Sequence, residues 1–191
     1  AYDILVPSDY MIERLLANNS LQPIDKEMIP NISNLSEGVK GLPYDPDNTY
    51  SVPYFWGTVG IVYNKNNVDI KDLEQQGYAI LKNPKYKGKL YMYDSERDSF
   101  MIALKSLGYS MNTDNEQEIE QAYQWLKELN DTMEPVYVTD EVIDGMMNGN
   151  KDLAVVYSGD ATTILYENED MAFYLPKEGT NIWSDAMVIP A

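Results

Sequence analysis

The sequence predicts an α/β fold built from layers of strands and helices. Three observations predict it. Runs of β-branched and aromatic residues alternate with apolar runs of helical period along most of the chain. Clusters of Gly, Pro, Asn and Asp separate these runs. The 191 residues are 44% hydrophobic, enough to fill a sizeable core.

The elements follow in order. Residues 2–6, Tyr-Asp-Ile-Leu-Val, predict a buried strand. Pro7-Ser8-Asp9 then starts a helix with Met11, Ile12, Leu15 and Leu16 at helical spacing. Residues 18–50 are rich in Asn, Pro, Ser, Asp and Gly and predict loops, with a brief helix near 33–41. Two β-rich runs, 50–56 and 58–63, are expected to be broken at Gly57. Residues 69–75 predict a short helix, 89–93 a strand, and 99–107 a helix closed by Gly108. Thr113-Asp114-Asn115-Glu116 caps a helix through Leu129, with Ile119, Ala122, Tyr123, Leu126 and Leu129 on one face. A strand at 135–138, a helix at 140–147, a strand at 152–157, a helix at 160–166 and strands at 171–175 and 182–189 complete the chain. Ligands of such folds bind at the carboxyl ends of strands. Ser8, Trp56, Asp94, Tyr157 and Asp185 fall at such ends.

Composition narrows the function. Thirty-one acids stand against fourteen bases, a net charge of −17. Nucleic acid and anionic membranes are disfavoured as partners and a cationic partner is favoured, although excess acid also serves solubility alone. The chain has no cysteine and no histidine, which excludes Cys-His nucleophiles, zinc sites of the usual kind and disulfides. No apolar run approaches the ~20 residues that span a bilayer. The chain opens on one strand-like run and stops just after another. A piece of a longer protein is expected, with its signal and anchor outside this segment.

Two aromatic-plus-acid segments carry the most information: Ser51-Val52-Pro53-Tyr54-Phe55-Trp56-Gly57 and Asn181-Ile182-Trp183-Ser184-Asp185. An indole face attracts a cation and a neighbouring carboxylate neutralises it, so the pair favours an alkylammonium ligand. Ordinary core packing is the competing reading for each Trp, but spacing puts Trp183 and Asp185 on one strand face. Asp94-Ser95-Glu96-Arg97-Asp98 follows a strand and opens a helix. Its acids either cap that helix or, through Asp94 or Asp98, pair an ammonium. Tyr157-Ser158-Gly159-Asp160 is a second strand-to-helix turn of the same kind. Paired carboxylates also serve acid–base catalysis, and spacing does not separate that from binding. No calcium loop is present; Asp45-Pro46-Asp47-Asn48 lacks the downstream Glu.

These segments, with Val6-Pro7-Ser8-Asp9-Tyr10, Tyr44-Asp45-Pro46, Pro84-Lys85-Tyr86-Lys87-Gly88-Lys89, Leu107-Gly108-Tyr109-Ser110 and Pro176-Lys177-Glu178-Gly179, carry a resemblance. The chain resembles the spermidine/putrescine-binding proteins of bacterial polyamine ABC importers over essentially all of its length. The resemblance implies a type II periplasmic-binding-protein fold with two α/β lobes joined by hinge-crossing strands, the first lobe incomplete. Residues 1–57 would be part of the first lobe, 58–183 the second, and 184–191 the strand returning to the first. It implies a cleft lined by Ser8, Tyr10, Tyr157, Trp183 and Asp185, with Trp56 near the first crossing. Asp98 stands where some relatives carry Glu, and Ser95 where some carry an acid, which leaves the role of Asp94 and the preferred polyamine open.

The function expected from the resemblance is extracytoplasmic binding of putrescine or spermidine and delivery to a membrane permease, with no catalytic residue, metal or cofactor. A carboxylate-pair hydrolase and a receptor of the same fold for another solute are the alternatives. The segment is expected to self-associate through its open first-lobe edge and to bind more weakly than an intact receptor.

Overall fold

The computed structural model describes residues 2–191. In chain order it contains α1 (Asp9–Ala17), β1 (Leu21–Gln22), β2 (Ser51–Asn64), α2 (Ile70–Gln76), β3 (Leu90–Tyr93), α3 (Glu96–Ser106), α4 (Glu116–Met133), β4 (Val136–Val138), α5 (Glu141–Met147), β5 (Leu153–Tyr157), α6 (Ser158–Glu167), β6 (Met171–Tyr174) and β7 (Ile182–Pro190). The chain divides into two units. Unit 1 comprises Ala1–Gly57 and Ile182–Ala191, and unit 2 comprises Thr58–Asn181.

In unit 1, β1 pairs antiparallel with β7. Helix α1 drives Ile12 into a small core with Leu21, Ala186 and Val188, closed by Leu5, Leu15, Leu16, Tyr44 and Tyr50. The buried Asp45 organises the loop before β2. It accepts from the N–H groups of Thr49, Tyr50 and Ser51 and from the Ser51 hydroxyl at 2.7–3.0 Å. Residues 18–50 hold short 3₁₀ turns at Lys26–Met28, Pro30–Asn34 and Glu37–Val39 instead of the single helix expected near 33–41.

The expected buried strand at 2–6 is not formed. Leu5 makes a reciprocal pair of backbone bonds with Val188, but Tyr2, Ile4 and Val6 are exposed. No described element packs over that apolar face, so pattern alone did not bury it.

In unit 2, the Thr58–Asn64 half of β2 lies between β5 and β6, antiparallel to both. β3 runs parallel to β5 on one side and to β4 on the other. One core joins Val62, Ala154 and Val156 of the sheet to Val142, Met146, Ala161 and Ile164 of α5 and α6. Gly60 permits a close approach: a Cβ there would sit 2.4 Å from the Phe173 ring and 2.9 Å from the Tyr174 carbonyl.

Two expectations are corrected. β2 continues through Gly57, whose φ is not positive, so the glycine does not break the strand. On α4 the buried stripe is Ala122, Trp125, Leu129 and Met133, while Ile119 and Tyr123 are exposed. The helix runs four residues past Leu129, and its buried stripe follows Trp125 and Met133 instead of Ile119 and Tyr123.

Candidate functional site

The site residues of unit 2 gather at the carboxyl ends of β3 and β5 and at the start of α3. Ser95 is the N-cap of α3, its hydroxyl accepting from the Asp98 N–H at 3.3 Å. A Ser-x-x-Asp capping box would send the Asp98 side chain back to the N-cap. Here the Ser95 N–H is already bonded to the Tyr93 carbonyl, and the Asp98 carboxylate turns elsewhere. The Tyr157 hydroxyl donates to Oδ2 at 2.6 Å and the Asn181 amide donates to Oδ1 at 3.0 Å. The Tyr93 ring packs on Tyr157 with centroids 4.5 Å apart.

Asp98 is one of three buried side-chain carboxylates among the described residues, and its environment differs from the other two. Asp45 is saturated by four donors. Asp152 pairs with Lys89 at 3.1 Å and accepts from Asn67. Asp98 is 5% exposed, receives two neutral side-chain donors, and has no Lys or Arg within ion-pair distance among the described residues. A buried carboxylate left in this state is destabilising unless a cation arrives.

The phenols around it are held neutral. Burial, then the hydrogen bond to Asp98 and that residue's charge, push Tyr157 far above its ordinary value. Burial, with the charges of Asp160, Asp140, Asp98 and Glu141, pushes Tyr93 up to about 12. Burial pushes Tyr78 to about 12 as well, with Glu178 and Asp98 adding to the rise. At neutral pH the three rings are uncharged apolar walls, not counter-ions, and Tyr157 is also a hydrogen-bond donor to Asp98.

Unit 1 carries a second carboxylate of the same kind. β7 buries Ser184, Ala186 and Val188, which puts Trp183 and Asp185 together on the opposite, half-buried face. Ser8 bridges Asp185 across the antiparallel contact, and its hydroxyl donates to Asp185 Oδ1 at 2.6 Å. That bond explains why Ser8, at the N-cap of α1, does not cap the helix with its side chain. Asp9 accepts from the Ser184 N–H at 3.2 Å and ties α1 to β7. Tyr44 lies 3.4 Å from the Ser184 hydroxyl. Burial raises the Tyr44 phenol, the Ser184 bond opposes that, and the charges of Asp9, Asp45 and Asp185 add to it.

Of the remaining predicted residues, Tyr10 lies at the start of α1 and Asp94 just after β3, whereas Trp56 lies inside the continuous β2 and, like Asp185 inside β7, is not at the strand end that pattern expects. Trp56 is the penultimate unit 1 residue before the first crossing and is 61% exposed, beside exposed Tyr54 and Phe55. Tyr10 is exposed on the first turn of α1. Asp94 is exposed, with its N–H on the Val138 carbonyl. Ser158 does not cap α6; its hydroxyl accepts from the Thr58 N–H. Sequence reasoning missed Asn181, Asp9 and Tyr93 as members of these groups. Asn181 stood inside a quoted motif, but nothing local signals a bond to a residue 83 positions away. A hollow of about 410 Å³ in unit 1, lined by Leu16, Tyr44, Asp45 and Tyr50, takes in none of the predicted site residues. Among the described residues no group of three acids is placed to hold a metal ion, and no helix is long and apolar enough to cross a membrane.

The mixed α/β chain has the type II periplasmic-binding-protein fold of its solved neighbours. The chain belongs to the bacterial extracellular solute-binding protein family, whose model matches residues 1–191. It is 37% identical over 191 residues to the spermidine/putrescine-binding periplasmic protein of Escherichia coli K12, covering 100% of this chain and 54% of the relative. The spermidine/putrescine ABC transporter substrate-binding protein PotD of Streptococcus pneumoniae superposes with a TM-score of 0.80 at 35% identity, over 99% of this chain and 57% of that one. The TpPotD lipoprotein of Treponema pallidum gives 0.83 at 29% identity, over 99% and 60%. The chain thus spans about half the length of the curated relatives it matches.

Proposed function

We propose that the full-length protein is the extracytoplasmic solute-binding component of a polyamine ABC importer. It takes a protonated putrescine or spermidine in the interlobe cleft and delivers it to a membrane permease. In this reading residues 1–57 are part of the first lobe, 58–183 form the second, and 184–191 return to the first. One ammonium is taken by Asp185 and the other by Asp98. Tyr157 and Trp183 flank the methylene chain, with Ser8, Tyr10, Trp56 and Asp94 around it. Each charge-assisted bond contributes roughly 1.5–3 kcal/mol and each desolvated cation–π contact about 1–2 kcal/mol.

The observation that carries this reading is the buried Asp98 carboxylate, braced by Tyr157 and Asn181 and paired with no protein cation among the described residues. A site of neutral donors around an ionised carboxylate is built for a cation that arrives from outside. The names of the relatives, which are polyamine-binding proteins, support the choice of cation. Isothermal titration of the full-length protein with putrescine, spermidine and a sugar panel, beside a glycosidase assay, tests it. Saturable polyamine binding without turnover is expected. Sugar hydrolysis, or polyamine binding no tighter than that of simple salt, would overturn it.

A further inference from the structure

We infer that Asn181 is a positioning residue that holds the Asp98 carboxylate ready for its cation; this rests on the polyamine reading above. Asn181 is the last residue of unit 2, and its amide Nδ2 donates to Asp98 Oδ1 at 3.0 Å. The opposite amide orientation would set two oxygens at that distance, so the carboxylate itself selects which end of the amide faces it. The segment is anchored from behind. The Thr180 hydroxyl donates to the Val59 carbonyl of β2 at 2.6 Å and also lies 3.2 Å from Asn181 Oδ1. The Val59 bond therefore fixes the chain at Thr180, next to Asn181, whose amide reaches Asp98, and Tyr157 holds Asp98 from its other oxygen.

Each carboxylate oxygen accepts one of these bonds, and an ionised carboxylate offers about four acceptor positions in all. The two that remain share the geometry that the Asn181 and Tyr157 bonds impose. Neither brace carries charge, so neither competes with an incoming ammonium for the negative charge. A cationic brace in place of Asn181 would neutralise the carboxylate in advance. Leucine, the nearest apolar isostere, would leave one oxygen buried without a donor and the carboxylate free to turn about its χ2 bond.

The test is a double-mutant cycle on the full-length protein, read by isothermal titration with putrescine. Asn181→Leu is expected to weaken binding about tenfold, the loss of one hydrogen bond to a charged group. In an Asp98→Asn background the same substitution is expected to cost nothing further, because Asn181 acts through the Asp98 charge. An equal loss in both backgrounds would overturn the inference and make Asn181 a packing residue. Should Asn181→Leu not fold, Thr180→Val carries the decision. It keeps the amide but loosens its anchor, and a loss of roughly threefold, absent in the Asp98→Asn background, is expected. A wild-type protein that binds putrescine while neither variant changes its affinity overturns this inference alone. A wild-type protein that binds no polyamine overturns the reading beneath it, and the inference with it.

Discussion

Replacing Asp98 with Asn is expected to move affinity and stability in different directions. The side chain is 5% exposed, and its two bonds come from neutral donors. The substitution preserves both bonds: the new Oδ1 accepts from Asn181, and the new Nδ2 donates to the Tyr157 oxygen, whose hydrogen rotates away. What disappears is the charge. The unliganded protein no longer buries an uncompensated carboxylate, so its stability should stay within about 1 kcal/mol of wild type or rise. The ligand loses one ammonium–carboxylate bond, roughly 1.5–3 kcal/mol, or about 10- to 150-fold in affinity. Isothermal titration with putrescine and thermal melts without ligand measure the two effects on one sample. The Tyr157 phenol, raised in part by Asp98, should also ionise at lower pH in the variant, visible in an ultraviolet titration. A melting temperature lowered by more than about 4 °C with affinity unchanged would refute the reasoning and make Asp98 a structural anchor.

Three further outcomes are expected. Asp185→Asn in the full-length protein should weaken polyamine binding more than about tenfold, since the half-buried carboxylate braced by Ser8 loses its charge; an unchanged dissociation constant removes Asp185 from the site. Gly60→Ala should destabilise unit 2 by about 1–3 kcal/mol, because the new methyl meets the Phe173 ring at 2.4 Å and the Tyr174 carbonyl at 2.9 Å; denaturant melts matching wild type would contradict the close approach. Stability should fall in alkaline solution. Tyr78, Tyr93 and Tyr157 all titrate above the phenol value of about 10 in the fold, so the folded chain holds protons that the unfolded chain releases. Their contribution is complete below about pH 10 and lost as pH rises toward 12; an unfolding free energy flat across that window refutes the burial of these rings.

The alternation of strands and helices was legible because it rests on local period. Helices α1, α2, α5 and α6 and strands β3 to β7 lie within a few residues of where pattern places them. Three failures share a cause. The burial of residues 2–6 depends on what covers them, and no local signal states that. The stripe of α4 turns on whether Trp125 or Tyr123 faces α3 and its neighbours, and both satisfy a helical period. The strand continues through Gly57, whose φ is not positive, whereas composition alone marks a break.

The site divides in the same way. Ser8, Trp183 and Asp185 are legible in motif and spacing, and the structure joins Ser8 to Asp185 directly. Asp98 and Tyr157 were singled out one at a time, as residues at two separate turns. Their contact, and the part played by Asn181, comes from tertiary folding that brings positions 98, 157 and 181 together. Sequence offered helix capping as the leading explanation for the segment around Asp98, and the helix start does use Ser95 for that purpose. Only the buried carboxylate with no cation beside it separates the two readings.

A crystal structure of the full-length protein grown with putrescine tests the central claim most directly. The account predicts one ammonium nitrogen about 2.7–2.9 Å from an Asp98 oxygen and the other at the same distance from Asp185, with the Tyr157 and Asn181 bonds to Asp98 intact. Putrescine bound away from both carboxylates, or an Asp98 that keeps only its protein donors while ligand is present, would contradict it.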